Sequence, residues 1–241
     1  MKRKDFLRNS LGFVGAGTIM LDACKKDAEL HVAQSLSKDA SVNACIVSPG
    51  ETEGPYPYPG GEINNPLNRS DVREDRTGLP LIYIFKVVDV NNDCAPIANA
   101  RVDIWHCDKD GYYSGYKQPG YLGTKDLRGQ TFLRGYQLTN ANGNCKFITV
   151  YPGWYPGRIT HIHMEVFING VLKKTTQVAF PDQVNRKVYQ TALYQGHGQN
   201  TSVANNLADS VFANSLASEL TSIDAYSGQG VQASYTIGLA L

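Results

Sequence analysis

The stretch Leu81-Ile82-Tyr83-Ile84-Phe85-Lys86-Val87-Val88-Asp89-Val90 is built almost wholly of β-branched and aromatic residues, and Asn91-Asn92-Asp93 follows it. Residues of the first kind fit a pleated, half-buried surface and those of the second favour a turn, so the segment reads as a strand. Working outward, Ala100 to Trp105 alternates apolar and polar side chains and ends in the loop Asp108-Lys109-Asp110-Gly111. Phe132 to Leu138 and Cys145 to Val150 flank Thr139-Asn140-Ala141-Asn142-Gly143-Asn144 and read as a hairpin-like pair around a glycine turn. His161 to Ile168, Thr175 to Phe180 and Val231 to Leu239 complete the strand set. Only Asn205 to Leu220 reads as helical, with Leu207, Val211, Leu216 and Leu220 as its buried positions. The 241 residues suffice for one domain with a sizeable core, and the frequent glycines and prolines suit short strands joined by turns. The expected fold is all-β, a β-sandwich of mainly antiparallel strands with long loops and at most short helices.

The first residues stand apart from that domain. Lys2, Arg3, Lys4 and Arg8 precede an apolar run from Leu11 to Leu21, too short to span a bilayer as a mature helix but suited to a signal peptide. Arg3-Lys4-Asp5-Phe6-Leu7 resembles a twin-arginine signal with Lys for the second Arg, and Leu21-Asp22-Ala23-Cys24 resembles a bacterial lipoprotein cleavage box. Residues 1–24 are therefore expected to be an export signal, 25–41 a polar tether and 42–241 the folded domain, periplasmic or held at the outer membrane by lipid on Cys24. With Cys24 lipidated, Cys45, Cys94, Cys107 and Cys145 remain, an even set that an exported protein could pair in any of three ways. The net charge of +1 gives no electrostatic case for nucleic acid.

On a strand His161-Ile162-His163-Met164-Glu165-Val166-Phe167-Ile168, alternate side chains share a face. Ile162, Met164, Val166 and Ile168 would enter the core, and His161 and His163 would project together, close enough for one metal ion. An H-x-H pair alone is equally a strand with two polar residues toward water. The preceding Tyr151-Pro152-Gly153-Trp154-Tyr155-Pro156-Gly157-Arg158 brackets Trp154-Tyr155 with two Pro-Gly pairs, a rigid loop able to present Tyr155 as a further ligand or simply to pack it on the sandwich end. A phenol of pKa about 10 stays ionised at neutral pH only beside a strongly Lewis-acidic ion such as ferric iron.

These segments, together with Thr52-Glu53-Gly54-Pro55-Tyr56, Val102-Asp103-Ile104-Trp105-His106-Cys107-Asp108, Gly111-Tyr112-Tyr113-Ser114 and Phe132-Leu133-Arg134-Gly135-Tyr136, resemble the intradiol ring-cleavage dioxygenases, the family of the catechol 1,2- and protocatechuate 3,4-dioxygenases. The resemblance runs over about residues 45 to 180 in the family's order. It implies Fe(3+) held by Tyr113, Tyr155, His161 and His163, with Tyr112 the competitor for the first place. It also implies that Arg158 stabilises developing charge, that Gln177 lines the site, and that Tyr155 is the phenolate that yields to the substrate. The substrates implied are a catechol-type aromatic and O2, and the product is a muconate-type dicarboxylic acid. His106 is read as a satisfied sheet histidine, and the oligomeric state is open. The long helical N-terminal segment of the catechol 1,2-dioxygenases is lacking, which places the chain nearer the protocatechuate type or exported members. Two other classes compete. One is a binding module that has lost catalysis. The other is a zinc hydrolase, which would want a carboxylate or third histidine as ligand. The loops Glu53 to Asn65 and Tyr116 to Arg128 are expected to choose among catechols.

Overall fold

The computed structural model describes residues 45–57 and 67–241. The expected export signal, the tether and Cys24 lie outside the described residues. Among the described residues nine of eleven strands form two main sheets. The first sheet holds β1 (Pro80–Asp89), β2 (Ala95–Pro96), β7 (Asn144–Val150), β10 (Ser222–Ser227) and β11 (Gly230–Leu239). The second runs in the order β6 (Arg134–Leu138), β3 (Arg101–Trp105), β8 (His161–Ile168) and β9 (Val171–Ala179). A small pair, β4 (Lys117–Gln118) and β5 (Lys125–Asp126), sits in a loop. Pairing is antiparallel except that β1 runs parallel to β11, Leu81 opposite Val231.

The alternation along β1 sends Leu81, Tyr83, Phe85 and Val87 inward, where they meet Val102, Ile104, Ile162, Met164 and Val166 of the facing sheet in one cluster. Each such side chain, wholly withdrawn from water, contributes about 1.5–3 kcal/mol. β8 and β9 are joined by Asn169-Gly170, both at positive φ (51° and 77°), the backbone that a two-residue hairpin requires.

Three expectations need correction. β6 and β7 are not a hairpin: β6 pairs with β3 and β7 with β1, so the Asn140–Asn144 turn carries the chain from one sheet to the other. Asn205–Leu220 is not one helix but a 3-10 turn at Asn206–Ala208 and a short α2 at Leu216–Glu219, and Leu207 is 64% exposed. The cause is Asp209, whose carboxylate accepts the Val211 amide and breaks the helical ladder there. A helix absent from the expected elements forms at α1 (Asp182–Tyr189), whose buried Val184, Val188 and Tyr189 span only two turns and leave little periodicity to read. The cysteine pairing, open from the sequence, is Cys45 to Cys94 with their Cα atoms 5.6 Å apart, while Cys107 and Cys145 are buried free thiols.

Candidate metal centre

Both faces of β8 are buried, not one. Ile162, Met164 and Val166 enter the core as expected, while His161 and His163, each 1% exposed, face a shell of loops. Register places His163 between Trp105 on β3 and Gln177 on β9. The indole of Trp105 stacks on the His163 ring at 5.0 Å and 5°. At its Cε1 edge Gly54, at φ +72°, comes so close that a Cβ there would stand 2.9 Å from His163 Cε1.

The loop after β3 presents Tyr113, and the loop after β7 presents Tyr155. The first is wound around Asp108, whose carboxylate accepts the amides of Asp110 and Tyr112. The two loops touch through backbone: a Cβ on Gly111 would lie 2.2 Å from the Trp154 carbonyl oxygen, and one on Gly153 2.5 Å from that of Lys109. His197 reinforces the junction, its ring stacked between Trp154 at 4.0 Å and Tyr121 at 4.1 Å.

The outcome is a convergence on His161 Nε2. His163 Nε2 is 3.0 Å away, Tyr113 Oη 3.3 Å and Tyr155 Oη 3.5 Å. Tyr112 points elsewhere, its hydroxyl donating to Gly123 O and accepting from Leu122 N. Burial, with Arg158 second, holds the His161 pKa well below its ordinary value, and burial followed by His161 does the same at His163, so both rings are neutral. His161 Nδ1 lies 2.6 Å from Ile159 O, which fixes its proton there and leaves a lone pair on Nε2. Burial pushes the Tyr113 phenol well above its ordinary value and that of Tyr155 up to about 12, with Arg158 acting in the opposite sense at both. Three neighbours around one lone pair cannot all be satisfied by hydrogen bonds, and His163 Nδ1 has no partner among the described residues. Ligands bonded at about 2.1 Å to one ion stand about 3.0–3.4 Å from each other, close to the 3.0, 3.3 and 3.5 Å that separate the other three atoms from His161 Nε2. Two phenols and two neutral imidazoles thus fit a single hard, Lewis-acidic ion.

Arg158 and Gln177 are brought to the same place. Arg158 Nη2 donates to Gln177 Oε1 at 2.7 Å, and Gln177 Nε2 donates to Thr52 O at 2.8 Å. Sequence reasoning missed Asp209, which takes Arg158 Nε at 2.8 Å from 51 positions away, in a stretch read as a helix. Tyr56 stacks on Tyr113 at 4.9 Å, and only the Thr52–Tyr56 motif pointed to it. Other histidines and carboxylates stay outside. Both ring nitrogens of buried His106 are bonded, to Cys107 O and Thr149 Oγ1. Glu165 lies one row beyond His163, between Asp103 and Thr175. Among the described residues no three His, Cys, Asp or Glu side chains gather as a metal site, so the donor set of a zinc hydrolase is not assembled there.

Comparison with known proteins gives the following. A family model described as Dioxygenase matches residues 52–211. The chain is 27% identical over 160 residues to a catechol 1,2-dioxygenase of Acinetobacter baylyi, covering 59% of this chain and 49% of that one. It is 26% identical over 148 residues to catechol 1,2-dioxygenase 1 of Acinetobacter lwoffii, covering 54% and 45%. The chain thus spans about half the length of the curated relatives it matches. Among solved structures, an intradiol ring-cleavage dioxygenase from Tetranychus urticae superposes with a TM-score of 0.71 at 30% identity, covering 81% of this chain and 95% of that one.

Proposed function

The chain belongs to the intradiol ring-cleavage dioxygenase family, and from that premise we propose that it opens a catechol-type ring between its two hydroxylated carbons, with both atoms of O2 entering a muconate-type dicarboxylic acid. Tyr113, Tyr155, His161 and His163 would hold Fe(3+). The observation that carries the reading is the convergence of Tyr113, Tyr155 and His163 within 3.5 Å of His161 Nε2, with both imidazoles buried where a solvent-facing His pair would be exposed. Ferric iron bound there would draw electron density from a chelated catecholate and expose the ring to O2.

The protein's own groups divide the remaining work. Trp105 stacks on the His163 ring, Gly54 packs against its Cε1 edge and Ile159 O holds the His161 tautomer, so both imidazoles are aimed before anything binds. Tyr113 is sealed at 0% exposure, whereas Tyr155 is partly exposed, so Tyr155 Oη is the phenol that an entering substrate can reach and the group to take up a substrate hydroxyl proton. Arg158, fixed beside both phenols, supplies a cation for charge growing on the ring. The test is to analyse the metal in the protein as purified and to assay it on a panel of catechols under ¹⁸O2. One iron per chain and two labelled oxygens in a ring-opened diacid are expected. A zinc-loaded protein, or a product lacking label, overturns the proposal.

The reading includes export, with lipid on Cys24. The Cys45–Cys94 bond supports it, because such bonds persist in oxidising compartments.

A further inference from the structure

We propose that Asp209 is the positioning residue for Arg158, fixing the guanidinium through its Nε so that the Nη groups face the Tyr113–Tyr155–His161–His163 cluster. The inference deepens the proposed function and rests on Arg158 being the cation that meets the reacting ring. Asp209 is wholly buried, and its carboxylate is fully engaged. Oδ1 and Oδ2 accept from Arg158 Nε at 3.1 and 2.8 Å, Oδ2 also accepts from Ile159 N at 2.9 Å, and Oδ1 from Val211 N at 2.9 Å. The two backbone bonds anchor the carboxylate to the chain immediately after Arg158 and to the turn before α2, so the acceptor cannot swing with its partner. Nε is the guanidinium nitrogen nearest the stem. Holding it from behind sets the plane of the fork, and the Nη2 bond to Gln177 then sets its rotation. Gln177 is itself tied to Thr52 O and lies beside His163. The result is a continuous chain, Asp209–Arg158–Gln177–Thr52, laid along the rim of the candidate centre.

A carboxylate on a charge-stabilising arginine weakens its field, so its retention needs a reason. Aim supplies one: displacement of a catalytic group by about 1 Å costs on the order of a hundredfold in rate. The alternative is that Asp209 serves only the Ile159 and Val211 amides, holding two turns together.

The experiment separates these roles. In the metal-free, ¹⁵N-labelled protein the Arg158 Nε–H resonance, assigned by its loss in Arg158→Lys, should exchange slowly with solvent. Asp209→Asn should speed that exchange by about tenfold or more while the backbone amide spectrum persists. Retained protection in Asp209→Asn overturns the proposal, whatever the activity. In the iron-loaded enzyme, Asp209→Asn should lower kcat on the order of a hundredfold at nearly constant KM. In an Arg158→Lys background the same change should cost less than about twofold, and losses that multiply would mean that Asp209 acts independently of Arg158. A parent that cleaves no catechol defeats the proposed function and leaves the exchange measurement to decide on Asp209. Should Asp209→Asn not fold, Asp209→Glu serves instead: its longer arm must shift the guanidinium, so parent-like kcat and parent-like exchange in that variant overturn the idea.

Discussion

Tyr112 and Tyr113 are neighbours of one type, both 0% exposed, and they differ only in the direction of the hydroxyl. The peptide alternation sends Tyr113 Oη to His161 and Tyr112 Oη to the backbone of Gly123 and Leu122. With iron bound, Tyr113→Phe should lose or strongly shift the visible phenolate-to-iron absorption, whereas Tyr112→Phe should keep it. A Tyr113→Phe protein with the parent spectrum and full iron would return the role to Tyr112. At Arg158 the structure changes what a simple truncation means. Arg158→Ala removes the cation facing a wholly buried carboxylate, and breaking such a pair from one side costs on the order of 3–5 kcal/mol. Urea unfolding should therefore find Arg158→Ala much less stable than the parent, and Arg158→Ala/Asp209→Asn should recover a good part of the loss. No recovery in the double variant would mean that the charge on Asp209 is not what suffers. The cation was legible because the resemblance places the family's arginine three residues before the histidine strand, where Arg158 stands. Its anchor was not, because 51 positions separate the pair and nothing local to Asp209 marks a carboxylate that turns inward.

At the scale of elements, the strand His161–Ile168 could be read because alternation is a local property, and the structure keeps both its core face and its paired imidazoles. The Asn140–Asn144 turn could not. Its glycine and asparagines describe the turn faithfully, but whether the flanking strands pair with each other or part into two sheets is decided by β3 and β1, which lie elsewhere in the sequence. Asn205–Leu220 failed for a related reason: periodic apolar residues were present, yet the Asp209 carboxylate accepts the Val211 amide, interrupting the ladder, and also takes Arg158 from far along the chain. The loop elements of the site depend on two glycines at backbone contacts. A Cβ on Gly153 would strike Lys109 and Asp108 carbonyl oxygens at 2.5 and 2.7 Å, so the loops bearing Tyr113 and Tyr155 would be forced apart. Gly153→Ala should thus lower iron content and shift the visible band as well as the melting temperature. Gly228→Ala, where a Cβ meets nothing within 4 Å, is the control and should leave the spectrum alone. Equal spectra in the two variants would mean that this backbone contact does not set the phenol geometry.

Across the whole molecule, residues 45–57 act as a strap over both sheets and the site. Ser48 N donates to Gly238 O and Lys174 Nζ to Ser48 O, Glu51 N donates to Thr175 O, Gly54 lies on His163 and Tyr56 on Tyr113. The strap's first described residue is bonded through Cys45 to Cys94, in the turn between β1 and β2, at a sequence separation of 49. Closing a loop of that length removes unfolded-state entropy equivalent to about 4 kcal/mol, so Cys94→Ser should unfold at distinctly lower urea. This links stability to the compartment in which the chain matures. If residues 1–24 export it, as proposed, the full-length protein should be recovered in the membrane fraction with Cys45 and Cys94 refractory to alkylation. Cys24→Ser should be released from the membrane but remain oxidised, because a multiply acylated anchor is lost while transport is not. A chain lacking residues 2–24 should stay in the cytoplasm with both thiols alkylatable, and should match Cys94→Ser in its urea midpoint. The three forms separate anchoring from export, since only the first depends on Cys24 and only the second on the basic and apolar start. Should all three partition alike with reduced thiols, both proposals fall, and the disulfide would then be a bond that the native compartment never forms.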